Sequence, residues 1–420
     1  MSEAVERATN AFVEQIDGPV VSFFESCVHC GLCADACLFY TETGDPQYTP
    51  IHKLEPMKKV WKQHYTFWGR LMHGLGLTRP LSEADLENWE TLLYDSCTLC
   101  GRCSMVCPVG NDIAYMVRKS KEAMVAAGYS PPTLKEATLR SIRLGSPMGI
   151  SMDVFKKQLG HAEKSCGLPI PLDVKGADYL VMLSSSEVLA YPEIIEALAV
   201  IFKEANVSWT FSSENFEATN SGLQIGSADI ERQLVLRIVE AAEKLEVKNV
   251  ISPECGHAYT AVRFDGPNLI GRPYKFKVLH IVELLDQLRA EGRLKISDKV
   301  ETALTYHDPC QIARRGGVIN EPRNLLGMVA SDFREMDEHS DMNWCCGGGG
   351  GVSANERAHE LMHKVFSKKK SQIQSLGVDA LVTACSNCRT VIEEDLEDNE
   401  MDIEVLSLTE LLAEHIEKQG

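Results

Sequence analysis

Apolar and polar positions divide this chain into two regimes. The stretch up to about residue 170 reads mostly helical, with amphipathic helices predicted in MVRKSKEAMVAAGY and PTLKEATLRSIRLG. The segment GHAEKSCGLPIPLDVKGAD, rich in Gly and Pro, marks a boundary. Beyond it, short apolar runs alternate with long amphipathic ones, the pattern of parallel βαβ units. Strands are expected at Tyr179–Leu183, Val207–Phe211, Val250–Ser252, Ala303–His307 and Ala380–Thr383. Helices are expected in PEIIEALAVIFKEA, IERQLVLRIVEAAEKL and ERAHELMHKVFSKKKSQIQSL.

The second regime repeats itself. KLEVKNVISPECGHAYTAV is followed by KVLHIVELLDQL, and SLGVDALVTACSNCRTVI is followed by EVLSLTELLAEHI. Each reads as a long helix, a strand, a Cys-bearing loop and a leucine-rich helix. Cys255 then aligns with Cys385, and Ala258 with Cys388. The expected fold class is α plus α/β. A mostly helical domain over 1–170 precedes two pseudo-repeated α/β subdomains over 176–300 and 301–420.

A length of 420 residues suits two or three domains, and 44% hydrophobic with 24% charged residues is a globular balance. The net charge of −18 argues against nucleic acid as a partner. It also repels an anionic membrane, unless basic residues gather in one patch. The opening MSEAVERATNAFVEQIDG is acidic without an apolar core, so no secretory leader is expected, and no apolar run is long enough to span a bilayer. Fifteen cysteines in a chain of this kind point to metal or redox chemistry rather than structural disulfides.

Eight of them form two runs. Cys27, Cys30, Cys33 and Cys37 follow C-x₂-C-x₂-C-x₃-C, and Cys97, Cys100, Cys103 and Cys107 repeat it, with Pro108 after the second. In this spacing three thiolates face one cubane [4Fe–4S] cluster while the fourth reaches the other. The expected sets are Cys27, Cys30, Cys33, Cys107 and Cys97, Cys100, Cys103, Cys37. Two zinc sites are the competing reading, but zinc usually takes two CxxC pairs with a longer loop between them. Between the runs, KKVWKQHYTFWGRLMHGLGLTRP is basic and aromatic, with Trp61, Tyr65 and Trp68 near helical spacing. It reads as a docking or interfacial helix, or as a helix packed over the clusters.

Five more cysteines lie where strands hand over to loops: Cys310 in YHDPCQIARRGG, Cys345 and Cys346 in NWCCGGGGG, and Cys385 and Cys388 in ACSNC. Such strand ends converge on one crevice in an open α/β fold. Adjacent cysteines suit a larger or split cluster better than a cubane. Gly347 and Gly348 would let backbone approach the metal and offer N–H groups to sulfur. A phosphate loop lacks its Lys-Ser/Thr here; a zinc site and free core thiols are the remaining alternatives. His257 and His307 border these loops as candidate proton carriers or hydrogen-bonding neighbours. Cys166 reads as an ordinary thiol.

The order Cys, Cys-Cys-Gly, Cys-x-x-Cys resembles the cysteine-rich CCG domain of heterodisulfide reductase catalytic subunits. With two ferredoxin motifs ahead of it, the chain is similar to the single-chain, membrane-linked (HdrD-like) members. CVHCGLCADAC, TGDP, FEATN and ECGHAY are most similar to the K-subunit family of the sulfite-reduction-associated Dsr membrane complex.

The resemblance implies a noncubane [4Fe–4S] cluster on Cys310, Cys345, Cys346, Cys385 and Cys388 that cleaves or forms disulfides. In the first half the Cys-Cys-Gly position has become Ala218-Thr219-Asn220-Ser221-Gly222, and the first cysteine has given way to the serines Ser184–Ser186, so one such cluster is expected. Cys255 survives as a ligand, as a thiol that meets the substrate sulfur, or as a relic in the core. The implied redox partner is a membrane cytochrome b subunit. The implied substrate is a small sulfur-carrier protein (DsrC-like) with paired C-terminal cysteines, as disulfide or trisulfide. The implied setting is dissimilatory sulfur metabolism on the cytoplasmic face of the membrane, in a hetero-oligomer. An electron-transfer subunit of a glycolate or glycerol-3-phosphate type flavoprotein dehydrogenase, and a redox scaffold, are the alternatives.

Overall fold

The computed structural model describes residues 3–418. The chain forms two compact units, one of residues up to Glu136 with Gln224–Ala228 and Gly347–Lys368, the other of Ala137–Leu223, Asp229–Cys346 and the chain from Lys369.

The first unit is helical. Helix Ile113–Ala127 starts where the Asp112 carboxylate accepts from Tyr115 N–H and stops at Gly128, whose φ of 92° ends the turn. Its apolar face, including Met116, Val117, Ala123 and Met124, is buried. Glu83–Tyr94 opens with a reciprocal Ser82–Asp85 capping box. The two cysteine runs have matching backbones. His29 and Leu99 (φ 54° and 56°) and Gly31 and Gly101 (φ 87° and 77°) are all left-handed. Each run then enters a one-turn helix, Leu32–Asp35 or Arg102–Met105. A left-handed non-glycine costs about 1–3 kcal/mol. Its appearance at the same place in both runs marks a conformation imposed by a site rather than by propensity.

The second unit holds two four-stranded sheets, all parallel. The strands are β1 (Tyr179–Val181), β2 (Trp209–Thr210), β3 (Asn249–Ser252), β4 (Lys277–His280), β5 (Val300–His307), β6 (Ala330–Phe333), β7 (Ala380–Thr383) and β8 (Glu404–Ser407). The orders are β2-β1-β3-β4 and β6-β5-β7-β8, one topology used twice. Helices such as Ala228–Lys244 cover the sheets, burying Leu234, Val235, Ile238 and Val239. The central strands are buried toward their carboxyl ends, Leu304–His307 of β5 and all of Ala380–Thr383 of β7, as cover on both faces requires.

Five strands lie where the apolar runs place them. β4 and β8 correct the expectation: KVLH and EVLS are strands rather than the start of leucine-rich helices. Each gains a ladder only by pairing with β3 or β7, and the helix begins directly after it, capped by His280 or Ser407. β6 (ASDF) carries no apolar run and exists through its pairing with β5.

Candidate functional site

The four-cysteine runs interlock. One cavity, with about 410 Å³ of empty volume, is lined by Cys27, Cys30, Cys33 and Cys107, closed by Phe23, Ile51, Pro108 and Ile113. A second, of about 450 Å³, is lined by Cys97, Cys100, Cys103 and Cys37 with Phe39, Lys53, Ser96 and Val117. The last cysteine of each run therefore sits in the other run's cavity. Burial and then the neighbouring Cys27 and Cys30 push the Cys33 thiol up to about 11. Burial followed by Cys100, Cys37 and Cys97 raises Cys103 well above its ordinary value. Buried thiols such as Cys33 and Cys103 resist ionisation unless cationic iron compensates, so the donor set fits a metal–sulfur cluster in each cavity.

The two cavities differ in electrostatics. Cys30 is exposed beside the first. Beside the second, the Lys53 ammonium is buried, donates to Ser96 O and lies 3.8 Å from Cys37 Sγ. Lys121 is also buried, donates to Gly350 O at 3.0 Å, and is pulled down to about 8 by burial. Sequence reasoning missed both lysines, since nothing in IHKL or RKSK separates a buried lysine from a solvated one.

In the second unit the order of each sheet reverses between its two central strands, and the crevice at their carboxyl ends is where α/β folds place ligands. β5 leads through His307 and Asp308 to Cys310, and β7 leads to Cys385, which caps helix Ser386–Asp398 and puts Cys388 in its first turn. All five cysteines of this half are buried. Cys310 and Cys345 Sγ are 4.0 Å apart, and Cys346 and Cys388 Sγ are 3.3 Å apart. His307 joins Cys346 and Cys388 with ligand atoms within 4.8 Å of one another.

Neither ring nitrogen of the buried His307 has a hydrogen-bond partner among the described residues. An orphaned imidazole costs stability, and a metal–sulfur cluster between these side chains would satisfy it. Burial, then Lys369, lowers His307 well below its ordinary value, so the ring is neutral. The Cys385 thiol is lowered by the hydrogen bond from Cys388 and by backbone N–H groups including that of Gly256. Lys369 is buried near Cys346, Cys345 and Cys388, with burial pulling it down to about 8. It was not foreseen. Within KKK only the shared burial of Lys369, Gln372 and Ile373 at helical spacing marks it as inward-facing.

The loops are pinned by charge. Arg323 grips the Asp308 carboxylate at 2.9 and 2.8 Å. Ser340 N–H donates to Asp308 at 2.7 Å, the Asn343 amide donates to Asp308 O, and Arg314 holds Asn343 Oδ1 at 2.6 Å. These bonds tie the Cys310 loop to the Cys345–Cys346 loop. Gly347 follows with φ 103°, and Gly348 is buried.

The first half places Cys255 at the end of β3 with the backbone of Cys385: φ −142° and ψ 107° against φ −147° and ψ 112°. Cys255 is buried, and burial together with the Cys385 charge raises its thiol strongly. The two loops touch. Ser386 N–H donates to Glu254 O at 2.7 Å, and a side chain on Gly256 would sit 2.6 Å from Gln311 Cβ. His257 is buried in the short helix after Cys255, while Cys166 ends helix Met152–Cys166, apart from these loops in the chain.

Where the first half lacks cysteines it has oxygen. Ser184 Oγ lies 3.1 Å from Ser386 Oγ and caps its helix with Glu187. Glu187 accepts from Glu254 N–H at 3.0 Å, Glu217 accepts from Ser185 and from Thr219 N–H, and Glu254 accepts from Ser407 and Thr409. Burial raises Glu187 to about 8 and Glu217 and Glu254 to about 7. Asn220 is spent on packing, donating to Glu231 O and accepting from Leu223 N–H.

Residues 24–111 match the 4Fe-4S dicluster domain family, and residues 304–393 match the cysteine-rich (CCG) domain family. Similar proteins include an Hdr-like menaquinol oxidoreductase iron-sulfur subunit of Archaeoglobus profundus, 28% identical over 87% of this chain and 74% of the relative. A dihydromethanophenazine:CoB–CoM heterodisulfide reductase subunit of Methanosarcina barkeri is 26% identical over 93% of both chains. An EtfAB:quinone oxidoreductase of Syntrophomonas wolfei is 26% identical over 88% of this chain and 54% of its own length.

Proposed function

We infer that this chain, which fits the HdrD-like superfamily of heterodisulfide reductase subunits, is the iron–sulfur oxidoreductase subunit that passes electrons from two cubane clusters to a sulfur–sulfur bond held at its C-terminal cysteines. The carrying observation is that the buried Cys346 and Cys388 gather with the unpartnered His307, with Cys310 near Cys345 and with Cys385 between Cys388 and Cys255 in its interactions. Cys27, Cys30, Cys33, Cys107 and Cys37, Cys97, Cys100, Cys103 would hold the cubanes. Cys310, Cys345, Cys346, Cys385 and Cys388 would hold a noncubane four-iron cluster, with Gly347 and Gly348 easing backbone approach. When bound, that cluster supplies single electrons and a thiophilic iron face.

The chain's own residues do the rest. Reducing a disulfide takes two electrons and two protons and releases two thiols. Cys255 is buried and its thiol is raised strongly by burial, which suits it to meet one substrate sulfur as the neutral thiol rather than to supply the proton. His307, held neutral by burial, suits a ligand or hydrogen-bonding role at the cluster better than proton delivery. His257, in the turn after Cys255, is the proton carrier in this reading.

Relatives named as menaquinol and dihydromethanophenazine oxidoreductase subunits support membrane-held electrons, hence a cytochrome b-type partner and attachment at the inner face of the membrane. No helix among the described residues is long and apolar enough to cross a membrane. The proposed substrate is a small sulfur-carrier protein in dissimilatory sulfur metabolism. A second reading, electron transfer to or from a flavoprotein, is favoured by the relative named EtfAB:quinone oxidoreductase. Iron analysis with an EPR redox titration on anaerobically purified protein tests the assignment. About twelve irons per chain, with an oxidised-state signal that shifts on adding a thiol or disulfide, is expected. About eight irons would remove the third cluster and leave the electron-transfer reading.

A further inference from the structure

The basic, aromatic segment between the two cysteine runs folds as two helices, Glu55–Tyr65 and Phe67–Gly74, broken at Thr66. The first is anchored: Met57, Val60 and Trp61 are buried, and Trp61 lies 5.2 Å from the Phe24 ring, three residues before Cys27. The second buries nothing. Phe67 is 75% exposed, Trp68 70%, Leu75 63% and Leu77 65%, with Leu71 and Met72 also exposed. This excludes the expectation of a helix packed over the clusters for the segment beyond Thr66. At 3.6 residues per turn, Phe67, Trp68, Leu71, Met72 and Leu75 fall on one side of the helix, with Arg70 at its flank next to Phe67 and His73 on the other side.

The charge of this element is opposite to that of the molecule. Between Glu55 and Pro80 there are five basic residues, Lys58, Lys59, Lys62, Arg70 and Arg79, and one acid, in a chain whose net charge is −18. Lys62 and Arg70 form no ion pair among the described residues. Exposed Trp and Phe beside Leu and Met, with cations on the flank and the apolar run continuing through the loop tip, are the composition of an element that lies in a lipid headgroup layer.

We propose that Phe67–Leu77 is an interfacial anchor that inserts its apolar side into an anionic bilayer surface, with Lys62 and Arg70 on the headgroups. The acidic remainder of the chain is repelled by such a surface, so the patch also selects orientation. Helix Glu55–Tyr65 ties the anchor to the first cysteine cavity, because Lys58 lines the same small pocket as Phe24 and Cys27. The anchor therefore holds the exposed Cys30 cavity, rather than the lysine-flanked one, next to electrons that come from the membrane.

The test uses the full chain, loaded with iron, and vesicles of phosphatidylcholine with or without about 30% phosphatidylglycerol. Co-sedimentation with the anionic vesicles only, falling about five-fold for each of Lys62→Gln and Arg70→Gln, is expected. The Phe67→Ser/Trp68→Ser/Leu75→Ser triple variant should lose about 100-fold or more in affinity. Because these side chains bury nothing, its iron content and visible absorption should match the parent. Brominated lipid should quench a tryptophan signal that Trp68→Phe removes. Binding that ignores lipid charge, a triple variant that binds like the parent, or association only with vesicles carrying an integral membrane partner would overturn the proposal. The last result would assign the surface to protein instead. The assay reads binding, not turnover, so it stands or falls separately from the electron-transfer reading.

Discussion

The two α/β halves of the second unit share one strand order and one backbone at Cys255 and Cys385, yet they carry opposite chemistry at their strand ends. The second half offers soft sulfur and a bare imidazole; the first offers hydroxyls and buried carboxylic acids. Topology is preserved because it rests on apolar runs and ladders that strand-end residues do not affect. The strand ends are free to diverge, so one half gathers sulfur where the other gathers oxygen.

The largest expected effect comes from breaking the sulfur side. Cys388→Ser should remove the third cluster, lowering iron by about four per chain, while its counterpart Ala258→Ser should leave iron unchanged. Equal loss in both would mean that both halves hold metal. Next comes the single sulfur of the first half. Cys255→Ser should keep all iron but lower disulfide turnover on the order of 100-fold, the scale seen when a close partner of a metal site is removed. If turnover holds, Cys255 is a core relic.

The carboxylic wall gives a smaller, pH-dependent effect. Glu187 is raised to about 8 in the folded chain against 4.5 as an ordinary carboxyl, so the folded state binds more protons than the unfolded one between those values. Its contribution is fully present below about 4.5 and is lost as pH rises through about 8, a matter of a few kcal/mol. Thermal unfolding of the native protein should therefore decline from pH 5 to 8 more steeply than that of Glu187→Gln. Parallel profiles would show that the acid is not what the first half put in place of its ligand.

The smallest change probes the seam between the halves. Gly256→Ala would push against Gln311 and should cost about 1–3 kcal/mol, read by denaturant unfolding. Unchanged stability would show that the loops yield without strain.

Much of this was legible in the sequence because its signals are local. C-x₂-C-x₂-C-x₃-C states which thiols can reach a common point, and the cavities group Cys107 with the first run and Cys37 with the second as the spacing implies. Apolar runs located five strands, and the aligned loops paired Cys255 with Cys385. β6 escaped because ASDF is a strand only through its neighbour, and β4 and β8 because KVLH and EVLS run straight into helices.

The sequence by itself determined the cysteine spacing, the duplication and the parallel sheets, since spacing and periodicity are properties of neighbouring residues. Only tertiary structure decided which lysines are buried beside sulfur, that His307 lacks a partner, that Glu187, Glu217 and Glu254 gather as a protic wall, and that Phe67 to Leu77 faces outward. The reason is physical. Burial and electrostatic environment belong to the set of atoms around a group, and residues far apart in the chain supply most of those atoms.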